Sequence, residues 1–241
     1  MAWHSTATPT ISTAAITTKT TFIFYLLYYL ISAPPSSLVN GQLESDGCLK
    51  LTSSEACPAF SQYYVGLSDD LKSAYSFLTN VNDVASFDDA LYNHVGSSSF
   101  LQQFGCSKNN NTQNNDDDET TYYPRYSLSR LCASFVHDAT GSLSCNYGRG
   151  ITPEPLCQST CNDWVDSLEN ITTTSGSSSS SDASSFTCPS SIYGSFTLEC
   201  SSWPAYTGTN GSCVLGSENE PDNCGKYQSF THIVLCVVYI F

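Results

Sequence analysis

The order and density of the cysteines constrain this chain more than any other feature. Twelve occur in 241 residues, and ten of them run from Cys48 through Cys57, Cys106, Cys132, Cys145, Cys157, Cys161, Cys188 and Cys200 to Cys213. Behind an export signal, such a density reads as a covalent framework rather than as a cytosolic metal or redox site. The expectation is a small, mainly α, disulfide-rich helical bundle with short irregular or β segments and long disordered loops.

The export signal is legible near the start. A polar stretch whose only basic residue is Lys19 leads into the 13-residue apolar run from Thr21 to Ala33, which Pro34 and Pro35 terminate. The run falls short of the ~20 helical residues that span a bilayer, and it fits the core of a secretory signal. Val39 and Gly41 stand three and one residues before Gln42, so cleavage is expected between Gly41 and Gln42. The alternative is an uncleaved amphipathic anchor. Removal of residues 1–41 leaves a 200-residue mature chain. Loss of Lys19 moves the formal charge from −14 to −15. Such acidity excludes nucleic acid and anionic lipid surfaces as partners, both of which need basic patches. Three sequons follow the signal, at Asn110, Asn170 and Asn210, each in a polar stretch expected to be exposed and glycosylated.

Apolar periodicity predicts four helices. Ser68 caps a helix to Asn80, with Asp69 and Asp70 at its positive end. Ser86 caps a second, to His94, with Asp88 and Asp89 in its first turn and Gly96 as the stop. The third covers Ser127 to His137. The fourth runs from Leu156 to about Asn170, introduced by Pro153 and Pro155. On it Cys157, Cys161, Trp164, Val165 and Leu168 share one face, so the two cysteines bond to separate partners rather than to each other. Two low-complexity inserts interrupt the pattern. Residues 107–121 are rich in Asn and Asp and have nothing apolar to bury. Residues 172–185 are almost all Ser and Thr and read as a flexible linker or an O-glycosylated loop. The last nine residues, Ile233 to Phe241, form an apolar run too short to cross a membrane. It reads as a truncated end, an anchor signal or a buried strand, with Cys224 and Cys236 left over from the ten-cysteine pattern.

No catalytic constellation emerges. His94, His137 and the pair His137-Asp138 have no nucleophile at motif spacing, and no phosphate-cradling or zinc-protease motif occurs. The acids Asp116 to Glu119 lack the alternating spacing and the glycine of a calcium loop. No cofactor and no metal are expected.

Once laid out, the cysteines resemble those of a Frizzled-type cysteine-rich domain over residues 48–213. Two open the domain, Cys48 and Cys57. A third follows a helical stretch, as in Phe104-Gly-Cys106. Cys132 and Cys145 flank a short segment after a helix. Then comes the proline-led pair Pro155-Leu-Cys157-Gln-Ser-Thr-Cys161, the most specific match, and Cys200-Ser-Ser-Trp-Pro204 and Cys213 close the domain. The chain departs from the pattern where the eighth cysteine belongs on the same helix as the seventh. Leu168 stands there, and Cys188 takes the role with the Ser/Thr tract inserted before it. The resemblance implies the pairs Cys48–Cys145, Cys57–Cys132, Cys106–Cys188, Cys157–Cys213 and Cys161–Cys200. It also implies a non-catalytic binding module, secreted or on the cell surface, with a groove for an extracellular protein, lipid or glycan. Tyr63, Tyr64, Tyr122 and Tyr123 are the candidate exposed aromatics. Residues 214–241 are a tail outside the domain. A structural cell-wall glycoprotein and an accessory subunit of a membrane calcium channel are the competing readings. Either requires a wall or membrane tether.

Overall fold

A computed structural model describes residues 41–108, 123–173, 186–209 and 211–221. The expected export signal before Gly41, the sequons Asn110 and Asn210, Tyr122, most of both inserts, and the tail with Cys224 and Cys236 lie outside the described residues.

The body opens with two antiparallel strands, β1 (Cys48–Lys50) and β2 (Tyr64–Gly66), in the register Cys48↔Gly66, Leu49↔Val65 and Lys50↔Tyr64. A 3-10 turn at Pro58–Phe60 lies between them. Helix α1 (Asp69–Ala74) begins where expected, because the Ser68 hydroxyl accepts a hydrogen bond from Leu71 N at 3.1 Å. It stops well short of Asn80. Tyr75 leaves helical geometry at φ −125°, and a 3-10 turn, Ser76–Leu78, completes the segment. Helix α2 (Val84–Val95) starts three residues earlier than the sequence expectation. Its cap is Asp83, whose carboxylate accepts from Ser86 N at 2.7 Å while the Ser86 hydroxyl turns back to Asp83 N at 3.1 Å. Ser86 is therefore the third residue of a capping box rather than the cap. The shift moves Asp88 out of the first turn and onto the inner face. There it is buried and accepts from the Ser54 hydroxyl at 2.5 Å and from Glu55 N at 2.7 Å.

Helix α3 (Ser98–Gln102) leads to the short strand β3 (Ser107–Lys108). Helix α4 (Ser127–Val136) is the hub of the core, with every residue but Arg130 buried. Its entry residue, Tyr126, takes the left-handed conformation at φ 64°. The ring of Tyr126 lies so close to Gly216 that a Cβ there would stand 2.6 Å from it. Helix α5 (Ser142–Tyr147) follows. It reaches β2 through Gly66 and Gly141, whose backbones approach so closely that a Cβ on Gly66 would sit 2.5 Å from the Gly141 carbonyl carbon.

Helix α6 (Gln158–Thr173) carries the predicted inner face, with Cys161, Trp164, Val165 and Leu168 buried. Leu156 and Cys157 fall just before it instead of within it. Their amides and that of Gln158 donate to Ala205 O, Val214 O and Gly208 O at 2.8, 2.9 and 2.9 Å, so a neighbouring segment supplies the acceptors that the first turn of a helix lacks. Strand β4 (Phe186–Thr187) pairs antiparallel with β3, placing Lys108 opposite Phe186. Helix α7 (Ser191–Ser202) and helix α8 (Gly216–Asn219) complete the body. The sequence reading placed no helix over either.

All ten described cysteines are bonded, as Cys48–Cys145, Cys57–Cys132, Cys106–Cys188, Cys157–Cys213 and Cys161–Cys200. These are the pairs that the resemblance implies. Packing continues on both sides of the 48–213 span. Gly41 O accepts from Val84 N at 3.0 Å. Beyond Cys213, Asn219 and Glu220 are buried; Asn219 binds Ala59 N and Ala56 O at 3.2 and 3.0 Å. Glu220 accepts from both the amide and the hydroxyl of Ser129 at 2.7 Å. That carboxylate stands at the amino end of α4, where the helix dipole favours negative charge.

Candidate ligand-binding cavity

Helix α4 is inward-facing almost all round, and one of its stripes meets open space instead of packed neighbours. Ser127, Arg130, Leu131 and Ser134 recur at helical spacing along it. Opposite them, α7 and the turn after it present Phe196, Glu199, Trp203 and Tyr206, again at helical intervals. Trp164 of α6 closes the floor. His94, Phe100, Gln103, Phe104 and Tyr75 form the remaining wall. Together they enclose a cavity of about 250 Å³.

Its aromatic walls are mutually braced. Trp164 meets Phe196 edge to face at 4.9 Å, and Phe104 contacts both, at 5.6 and 5.2 Å. Trp203 stands on Tyr206 at 4.5 Å. The Trp164 indole donates to the Ser127 hydroxyl at 3.0 Å, which fixes the ring's orientation.

One charged pair crosses the cavity. Arg130 Nη2 donates to Glu199 Oε2 at 2.8 Å, joining α4 to α7. The guanidinium lies 4.3 Å from the centre of the Trp164 ring, 5.0 Å from Tyr206 and 5.3 Å from Phe196. Such contacts are worth about 0.5–2 kcal/mol each as burial deepens. The Arg130 side chain is 12% exposed and that of Glu199 35%. Arg130 Nε is buried and has no hydrogen-bond partner, the one such side-chain atom among the described residues. Burial pushes the Tyr75 and Tyr206 phenols upward, with Arg130 opposing the shift in both.

His94 enters this wall as a packing ring. It stacks on Phe77 at 3.9 Å and meets Phe100 edge-on at 5.3 Å. Burial lowers its pKa, so the imidazole is neutral at pH 7. His137 lies elsewhere. Its Nε2 stands 3.2 Å from the Glu154 carbonyl, which can only accept, so Nε2 carries the proton. Burial lowers its pKa too, and the Glu154 carbonyl opposes that shift. The Ser134 hydroxyl in the cavity wall donates to Leu131 O at 2.9 Å.

Of the candidate aromatics, Tyr63 and Tyr64 are buried rather than exposed. Tyr63 belongs to the main core, and Tyr64 lies under the Arg149 guanidinium at 4.4 Å. The alternation of β2 buries both of its faces, so no side of the strand meets water. Tyr123 is half-buried. Asn170 is exposed but stands in the last turns of α6 rather than on a loop. Gly41 is buried and Gln42 exposed. A cut between them would cost Val84 N its acceptor, Gly41 O. Among the described residues no group of three His, Cys, Asp or Glu side chains could hold a metal ion, and no helix is long and apolar enough to cross a membrane.

Sequence reasoning missed the Arg130–Glu199 pair. The available signal was an arginine on the inner stripe of α4, one of only eight basic residues in the chain. The described residues form a small disulfide-rich helical protein, and five disulfides fit an oxidising, extracellular-type compartment. No family model, no curated protein and no solved structure matches the chain.

Proposed function

We propose that the protein is an exported, non-catalytic binding module of the Frizzled-type cysteine-rich class, and that its ligand occupies the cavity between α4 and α7. The construction of α7 carries this reading. Of its twelve residues only Cys200 is buried, and Leu198 is 67% exposed. Its Gly, Ser, Thr and aromatic content gives poor intrinsic helicity. Cys106–Cys188 holds the chain just before it and Cys161–Cys200 holds its far end. A helix fastened by sulfur at both ends, with one residue fully buried and Phe196 and Glu199 turned to a cavity, is placed as that cavity's wall. The order of the five pairs supports the family, and the signal core with three sequons supports export.

The test is retention of lipids and glycans on arrays by the exported glycoprotein. One ligand class is expected to be retained by the parent and lost by Phe196→Ala, with the far-UV circular dichroism unchanged. Absence of any retained ligand on both arrays overturns the reading. The Ser/Thr tract and the sequons favour a second reading, a structural glycoprotein of the cell wall. Release of the protein by salt or detergent alone excludes it.

A further inference from the structure

We propose that the cavity takes a neutral sugar ring, with two adjacent hydroxyls held by the Arg130–Glu199 pair and the ring's apolar face laid on Phe196 and Trp203. This inference rests on the cavity being a ligand site, and it names the class of ligand.

The pair is joined by a single bond, Nη2 to Oε2. Among the described residues no protein group bonds Nη1 of Arg130 or Oε1 of Glu199. The cavity therefore offers a free donor and a free acceptor side by side. A hydroxyl both donates and accepts, so two neighbouring hydroxyls match that arrangement, one receiving from the guanidinium and the other giving to the carboxylate. A ligand with one strong charge does not match. An anion is attracted by Arg130 but repelled by Glu199 and by a chain of net charge −14. A cation meets Arg130 already seated among Trp164, Tyr206 and Phe196. An acyl chain would strip water from the free donor and acceptor without replacing their bonds, at about 1–3 kcal/mol for each.

Size and shape agree. A cavity of about 150 Å³ admits one benzene ring, so one of about 250 Å³ has room for a single six-membered sugar ring. The C–H groups of a pyranose face carry the slight positive charge that the negative face of an aromatic ring attracts. Phe196 and Trp203 are both half-buried at this wall and not sealed into the core.

The experiment uses the full exported glycoprotein. The probes are neutral oligosaccharides of glucose, mannose and N-acetylglucosamine, their methyl ethers at adjacent hydroxyls, and phosphatidylcholine vesicles containing palmitate. Tryptophan fluorescence and ligand-observed NMR read binding. At least one oligosaccharide is expected to bind. Methylation of the adjacent hydroxyls, and separately Glu199→Ala, should each weaken it by roughly tenfold or more. The methyl ethers test the diol on the unaltered protein, so a poorly folded variant leaves the result decisive. Equal binding of parent sugar and methyl ether overturns the role of the pair. Palmitate binding that is lost in Phe196→Ala, with no sugar bound, overturns the sugar and leaves the binding module standing. Binding of neither class overturns both.

Discussion

Single residues in this protein act mainly by ending or starting something. Asp83 starts α2. Hydrogen bonds from the hydroxyl and then the amide of Ser86 hold its carboxyl below the ordinary Asp value of 3.8. A lowered carboxylate contributes fully above that ordinary value and loses its contribution as pH falls through the lowered one. Asp83→Ala is therefore expected to cost about 1 kcal/mol at pH 7, with the gap to the parent closing in strong acid. Urea unfolding at the two pH values measures it. A gap that persists undiminished in acid excludes the carboxylate as the cap. Asp88 works in the opposite sense. Desolvation raises its pKa against the bonds from Ser54 and the Glu55 and Ala56 backbone. Its contribution is fullest while it is protonated and fades as pH climbs through the raised value. Because Asp88 is present in both parent and variant, it cancels from the comparison.

At the scale of elements, burial and sulfur divide the work. Helices α2, α4 and α6 are held by side chains such as Phe87, Leu91, Phe135, Trp164 and Leu168, all 0–1% exposed. Helix α7 is held by its disulfides together with Ile192, Tyr193 and Phe196, half-buried against the core. The 39-residue separation closed by Cys161–Cys200 corresponds to about 4 kcal/mol in the chain-entropy model. The double variant Cys161→Ser, Cys200→Ser should lose stability on that order, and amide exchange over 191–202 should rise far more than exchange over α4. Equal protection of α7 in parent and variant would show that packing alone retains it. The same division explains what sequence could reveal. Helices with an apolar period announced themselves through Leu71, Phe87, Leu128 and Trp164. The cysteine order carried the pairings through its resemblance to a known framework. Helix α7 was missed because its Gly, Ser and Thr, and an exposed Leu198, blur the stripe of Ile192, Tyr193, Phe196 and Cys200. The start of α2 was displaced because Ser86 and Asp83 are both good caps, and only the hydrogen bonds distinguish them. The cavity was illegible because Arg130 and Glu199 lie 69 residues apart on helices of which one carried a blurred signal.

Across the whole molecule, the closing segment matters more than its place after the last framework cysteine implies. Val214 pairs with Leu156, Asn219 ties down the chain around Cys57, and Glu220 caps α4. A chain stopped after Cys213 loses the seven hydrogen bonds that Val214, Gly216, Asn219 and Glu220 make to the body, so it should be less stable than one stopped after Pro221 by about 7 kcal/mol at ~1 kcal/mol for each net bond. Thermal unfolding of the two lengths measures this, and identical midpoints would reduce the segment to decoration. The feet of the two inserts are likewise fixed by framework residues. Lys108 stands opposite Phe186 in the β3–β4 ribbon beside Cys106–Cys188, and Arg125 N donates to Ser167 Oγ at 2.8 Å. The most far-reaching arrangement is still the sulfur-fastened α7. Most protein surfaces that select a partner are also structural, so altering their selectivity erodes the body beneath. Here the outer wall hangs on two covalent hooks, so exchanges at its exposed positions should leave the scaffold behind as it was.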